Sequence, residues 1–344
     1  MFGIGVVRGA PVDWTGAGRR PTAVADAATR GSSPVASATT VASVGREPFP
    51  LTRSKVKSAM ISPAAGTVFV LVHGAWHSSW HWARTQRSLA RLGAASVALD
   101  LPGHGFDAPL PSGYLLPGQP GFATEKSALA GLTIDECAES VLSTLREVRR
   151  HYRTVVLVAH SASGGPASLA AETAPDLVDR IVYLSAFVPA GRPRFVDYLT
   201  APEQTATVRG GSLGVGDVES LGAFRINPLS PDPEYVEELR RTYYQEIPAE
   251  GFARWHLTLS PDLPSAVPMT PVRLTAGRWG RLPRTFVRLA DDWAARPAMQ
   301  DLMINDADAF TPDNPFTVRE LPGGHSPFAT RPGELAATLV SDLR

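Results

Sequence analysis

The sequence predicts an α/β fold: a doubly wound, mainly parallel sheet with helices on both faces and a cap inserted before its last strands. Three observations lead there. From Thr67 onward, short apolar runs alternate with amphipathic helical stretches, the rhythm of strand–helix–strand crossovers. The runs 68–72 and 154–159 are almost continuously apolar, as strands covered on both faces require. After Pro189 the rhythm lapses until about residue 265 and then returns, which marks an insertion of different architecture.

Each element follows in order. The first strand, 68–72, ends at His73 and Gly74, and a helix over 80–92 follows it. A second strand, 96–101, is closed by Pro102, Gly103, His104 and Gly105, and a Gly- and Pro-rich loop then runs to about Leu132. Thr133 and Glu136 have the spacing of a capping box for a helix reaching Arg150. The third strand, 154–159, turns tightly into a helix over 164–172, and the fourth strand is 181–186. The cap, about 190–265, contains an acidic amphipathic helix over 233–244 but no convincing buried strand. A strand at 284–289, a helix at 297–306, a strand at 316–321 and a helix at 332–343 complete the fold.

Composition bounds the function. The chain has 344 residues, 44% hydrophobic, enough apolar material for a full core. Its 33 basic and 33 acidic residues cancel, which argues against a dedicated nucleic-acid binder, since phosphate neutralisation needs a basic surplus. The single cysteine, Cys137, excludes an intramolecular disulfide and any cysteine-rich zinc motif. No apolar run approaches the ~18–20 residues of a membrane span, so no membrane association and a cytoplasmic location are expected.

The N-terminal segment differs from the rest. Before residue 61 it holds eight basic and three acidic residues, and its first fifty residues contain no leucine. Such a composition cannot bury enough side-chain area to offset the entropy of ordering. Residues 1–60 are therefore expected to be a disordered extension, with 61–344 as the folded domain. Arg19 and Arg20 raise a twin-arginine export signal as an alternative, although no apolar stretch follows them. Met60, just before the foldable sequence, raises an internal start as another.

The chemistry concentrates at 158–165, VAHSASGG. A serine between a buried strand and a helix sits on a strained turn that exposes its hydroxyl above the sheet. Positions two before and two after must be small, here Ala159 and Ser163 around Ser161. The alternative nucleophile is Ser163, flanked by Ser161 and Gly165. A serine hydroxyl needs a base, itself oriented by a carboxylate, and in this architecture the chain order is Ser, acid, His. His325 follows the strand 316–321, and Asp292 follows the strand ending at Leu289, with Asp291 as the neighbouring alternative. The oxyanion of an acyl-transfer site needs two backbone N–H groups: Ala162, after the nucleophile, and Ala75, in the loop after the first strand. Gly74 lets that loop pass close to substrate.

Trp76 is expected to face the site, with Trp80 and Trp82 packing behind it. His73, His77 and His81 recur every four residues, but His73 ends a strand, so the three do not share a helix face and no metal site is expected.

At HGAWHSSW, LPGHG, VAHSASGG, YLSAFVP and GGHSPF together, the chain resembles the α/β-hydrolase superfamily. It is most similar to the branch of methyl-salicylate-type esterases, hydroxynitrile lyases and bacterial hydrolases, over about 66–343. The resemblance implies Ser161 as nucleophile, Asp292 as acid, His325 as base and Ala75 and Ala162 as oxyanion donors. It further implies Gly74, Trp76, Phe187 of the AFVP segment and Ser326 along the substrate site, with the loop 106–131 bordering the pocket. No cofactor is implied, and the implied partner is a small to medium apolar carboxylic ester, or a thioester or lactone. Ala159 and Ser163 depart from the superfamily's usual glycines. The lyases carry threonine in place of Gly74 and lysine in place of Ser326, which favours hydrolysis over cyanohydrin cleavage. A ligand-binding protein without turnover, or a lyase or cyclase using the same triad, are the alternatives.

Overall fold

The computed structural model describes residues 66–205 and 213–343. The segment expected to be disordered, 1–60, lies outside the described residues.

Six parallel strands form the central sheet: β1 Thr67–Val72, β2 Ala95–Leu99, β3 Thr154–His160, β4 Arg180–Leu184, and, after an insertion, β7 Arg284–Leu289 and β8 Thr317–Leu321, in the spatial order β2-β1-β3-β4-β7-β8. Every residue of β1 is buried, because each face has its own helical layer. Val68, Val70 and Val72 join one apolar cluster, which holds α2 Ile134–Arg149 and α3 Gly164–Thr173; Phe69 and Leu71 join the other, with α1 Ala83–Arg91. This division across one strand explains its unbroken apolar sequence. Thr133 caps α2, accepting from the Glu136 N–H while Glu136 Oε2 accepts from the Thr133 N–H at 2.8 Å.

Between β4 and β7 come short helices α4 Phe195–Leu199, α5 Pro202–Thr205 and α6 Val218–Leu221, then the longer α7 Pro233–Tyr243 and α8 Ala249–His256, and the short α9 Ala266–Met269. This stretch contains the residues expected to form the cap. It also contains two strands that were not expected, β5 Ala223–Arg225 and β6 Asp262–Pro264, paired antiparallel. Three residues each are too few to show a period, and the pairing rests on a buried bidentate ion pair instead: Arg225 Nε and Nη2 donate to Asp262 at 2.6 and 2.7 Å. Arg225 Nη1 also donates to the carbonyls of Phe122 and Glu125. The loop 106–131 is thereby bound to the inserted segment.

After β7, α10 Pro297–Phe310 returns the chain to β8, and α11 Pro327–Thr330 and α12 Pro332–Ser341 close it. Among the described residues no helix is long and apolar enough to cross a membrane.

Candidate active site

Ser161 opens a single 3₁₀ turn between β3 and α3, with φ +55°. That left-handed conformation is costly for a non-glycine residue and persists only where its surroundings enforce it. Here the Ser161 carbonyl accepts from Phe187 N–H at 3.0 Å. Gly74 lies close by: a Cβ there would stand 2.7 Å from His160 Nδ1 and 2.8 Å from Ser161 Cβ. The loop after β1 can approach this turn only with glycine. Ser163 is committed elsewhere. Its hydroxyl faces the His160 carbonyl at 2.8 Å and the Val72 carbonyl at 3.2 Å, and accepts from His160 N–H.

His325 and Asp292 come together across 33 residues of chain. His325 Nδ1 donates to Asp292 Oδ2 at 2.7 Å, both side chains being buried. This bond fixes the proton on Nδ1 and leaves Nε2 a lone pair. Asp292 Oδ2 also accepts from Ser185 Oγ at 2.7 Å, and Oδ1 from the N–H groups of Ala294 and Ala295. Four donors satisfy both oxygens of the buried group. Asp291, by contrast, is exposed and accepts from Gly323 N–H. Ser185 escaped the sequence reading. It follows β4 directly and has φ +41°; its place at a carboxyl strand end was the available signal.

The His325 ring packs 4.7 Å from that of His160, the residue before Ser161. His160 Nε2 donates to the His325 carbonyl at 3.0 Å. Among the described residues no hydrogen bond joins Ser161 Oγ to His325 Nε2; such contacts are often long until substrate binds.

The loop after β1 carries Ala75. The Gly74 carbonyl, the other end of the same peptide as the Ala75 N–H, accepts from His73 Nδ1 at 2.9 Å and from His77 N–H at 3.3 Å. His73 Nε2 accepts from Leu101 N–H, which sets the tautomer. Neither Ala75 nor Ala162 N–H donates in the hydrogen bonds of the described turns and loops.

Burial keeps a group of histidines neutral: His73, His77 and His160 are held well below the usual imidazole range, His81 is brought down to about 4 and His104 is also lowered. Among the described residues no cluster could hold a metal ion. Cys137 lies buried on α2, its thiol pushed up to about 12 by desolvation, which makes it unreactive.

A cavity of about 310 Å³ opens beside the site, lined by Trp76, Phe224, Tyr243 and Trp293 among others. Trp76 Nε1 donates to the Phe224 carbonyl at 2.9 Å, and its ring meets Tyr243 edge-on at 5.6 Å. Tyr243 in turn lies 5.8 Å from His325. Of the residues expected along the substrate site, Trp76 lines this cavity; Gly74, Phe187 and Ser326 do not. The Phe187 ring stacks on Phe195 in the core behind the serine turn, and Ser326 is buried at the start of α11. Trp82 is core as expected, but Trp80 is 41% exposed against the Phe106 ring. No residue of the loop 106–131 lines the cavity; the loop stands one residue behind it, its Phe122 and Glu125 carbonyls bound by Arg225, which is itself in the lining.

Comparison with known proteins gives three consistent results. Residues 69–338 match the profile of the alpha/beta hydrolase family. Putative methylesterase 12, chloroplastic, of Arabidopsis thaliana is 24% identical over 277 residues, 79% of this chain and 70% of that protein; methylesterase 7 of the same plant is 26% identical over 280 residues, 79% and 94%. The crystal structure of a pyrethroid hydrolase from Sphingobium faniae JZ-2 superposes with a TM-score of 0.60 at 21% identity, covering 80% of this chain and 97% of the other.

Proposed function

The chain belongs to the alpha/beta hydrolase family and is a carboxylesterase-like hydrolase, and we propose that it cleaves small to medium apolar carboxylic esters through Ser161, His325 and Asp292. The observation that carries this reading is the buried His325–Asp292 hydrogen bond of 2.7 Å, set against a serine turn held at φ +55°.

The mechanism follows from the protonation states. With its proton held on Nδ1 by Asp292, His325 presents Nε2 as base. Ser161 Oγ gives its proton to Nε2 and attacks the ester carbonyl carbon. The resulting oxyanion lies against the N–H groups of Ala75 and Ala162, in a setting where burial strengthens such bonds. Collapse breaks the C–O bond, and the alkoxide leaves with the proton from His325. Water, deprotonated by the same nitrogen, then releases the acid from the acyl-serine. Asp292 stays ionised throughout, balancing the imidazolium. The aromatic lining of the cavity suits an apolar substrate, and its volume is at the small end of ligand sites.

Labelling with a fluorophosphonate probe and turnover of p-nitrophenyl acetate test this in wild type, Ser161→Ala, Ser163→Ala and His325→Ala. Loss of both signals in Ser161→Ala and His325→Ala, but not in Ser163→Ala, is expected. Labelling that survives Ser161→Ala and vanishes in Ser163→Ala refutes the assignment, and labelling without turnover of any ester in a panel favours binding or lyase chemistry.

A further inference from the structure

We propose that residues 243–246, the segment Tyr-Tyr-Gln-Glu closing α7, are positioning residues that hold the base, the acid loop and the oxyanion loop in register, so that docking of the inserted segment and assembly of the site are one event. This rests on the esterase reading above. Four consecutive side chains engage these three parts, Tyr243 and Glu246 both at the base and its loop.

Tyr243 packs edge-on against the His325 ring at 5.8 Å. Tyr244 Oη donates to His77 Nε2 at 2.8 Å, and His77 Nδ1 donates to the Ala75 carbonyl at 2.6 Å. Burial raises the Tyr244 phenol well above its ordinary range and lowers His77 well below its own, so donor and acceptor keep these roles at any pH near neutrality. Gln245 Nε2 donates to the carbonyl of Asp291, the residue before Asp292, at 2.8 Å. Glu246 Oε2 accepts from the N–H of Gly324, the residue before His325, at 3.2 Å, and from Thr330 Oγ1, while Arg331 holds the carboxylate by two donors.

The acid and base loops are also laced to each other at this point. Asp291 N–H donates to the Gly323 carbonyl, and Gly323 N–H to Asp291 Oδ2, each at 3.1 Å. Gly323 has φ +97°, and a Cβ there would overlap the Glu246 carboxylate; one on Gly324 would stand 2.6 Å from the Gln245 side chain. The glycine pair ahead of His325 thus makes room for this segment. The segment is itself held in shape by Arg240 Nη1, which donates to the carbonyls of Gln245 and Ile247 at 3.0 and 2.7 Å. Tyr243 also lines the cavity, whereas Tyr244, Gln245 and Glu246 do not, so these three govern geometry more than affinity.

The test uses the full chain with Tyr244→Phe, Gln245→Leu and Glu246→Gln, assayed on p-nitrophenyl acetate and p-nitrophenyl hexanoate, with melting temperatures and a parallel Ser161→Ala. Since an ångström of misplacement costs up to about 100-fold in rate, each positioning variant is expected to lose roughly tenfold in kcat on both esters with KM held within about twofold. Glu246→Asp, which keeps the charge, is expected to recover part of the loss. Unchanged kcat in all three variants at an unchanged melting temperature overturns the proposal. So does a loss confined to KM for the longer ester, which would make the segment a pocket wall. If Gln245→Leu or Glu246→Gln fails to fold, Tyr244→Phe, which deletes one oxygen, decides alone. Wild-type turnover in Ser161→Ala refutes the esterase reading and this proposal with it; an inactive Ser161→Ala beside unimpaired positioning variants refutes this proposal only.

Discussion

Acid is expected to unfold this protein through its buried histidines. His73, His77, His81, His104 and His160 all have folded-state pKa values lowered, first by desolvation. The hydrogen bonds give the same direction: His73 Nε2 accepts from Leu101 N–H and His77 Nε2 from the Tyr244 hydroxyl, and protonation would set donor against donor. A depressed folded pKa means that the unfolded chain binds protons first, so stability is complete above the unfolded value near 6.5 and is lost as pH falls below it. His81 alone, brought from 6.5 to about 4, contributes about 3 kcal/mol of this loss by pH 4. His73, His77, His104 and His160 are shifted in the same direction and add to this loss, against a typical domain stability of about 5–15 kcal/mol. The urea midpoint is therefore expected to fall as the pH drops from 7 to 5. Urea unfolding followed by circular dichroism at pH 8, 7, 6 and 5 measures this fall. A denaturation midpoint that stays constant from pH 7 to pH 5 would refute the reasoning, since native and unfolded chains would then bind protons equally.

Four further outcomes are expected. Gly74→Ala places a methyl against His160 and Ser161 and is expected to abolish most turnover while costing about 1–3 kcal/mol of stability, read by steady-state kinetics and thermal melting. Ser163→Ala removes the hydroxyl that braces the His160 and Val72 carbonyls; urea melts should show a loss of about 1–3 kcal/mol, with fluorophosphonate labelling retained. Ser185→Ala withdraws a donor from Asp292 and is expected to lower kcat about tenfold, with KM little changed, as orientation of the His325–Asp292 pair loosens. Asp262→Ala strands the buried Arg225 guanidinium; a loss of about 3–5 kcal/mol is expected, with proteolysis of the inserted segment as a second readout.

Much of the fold was legible because its signals are local. β1 and β3 announce themselves as unbroken apolar runs, since each strand is covered on both faces, and Thr133 with Glu136 marks the start of α2 within four residues. The serine turn is local as well: a strand, a small-residue turn and a helix lie within 154–173. β5 and β6 were illegible, because a buried ion pair between residues 37 apart holds them in place of an apolar period.

By itself, then, the sequence determined the sheet, the order of the candidate site residues along it and the narrow choice between 161 or 163 and between 291 or 292. Tertiary structure alone decided which of each pair faces which partner: Ser163 turns to the Val72 carbonyl, and Asp292 turns to His325. It also brought Ser185 to Asp292 and laid residues 243–246 over the site from a segment with no strand rhythm. The physical reason is one of range. Propensity and periodicity act over a few residues of chain, whereas these hydrogen bonds join residues from 33 to 167 positions apart and exist only once packing has closed the intervening loops.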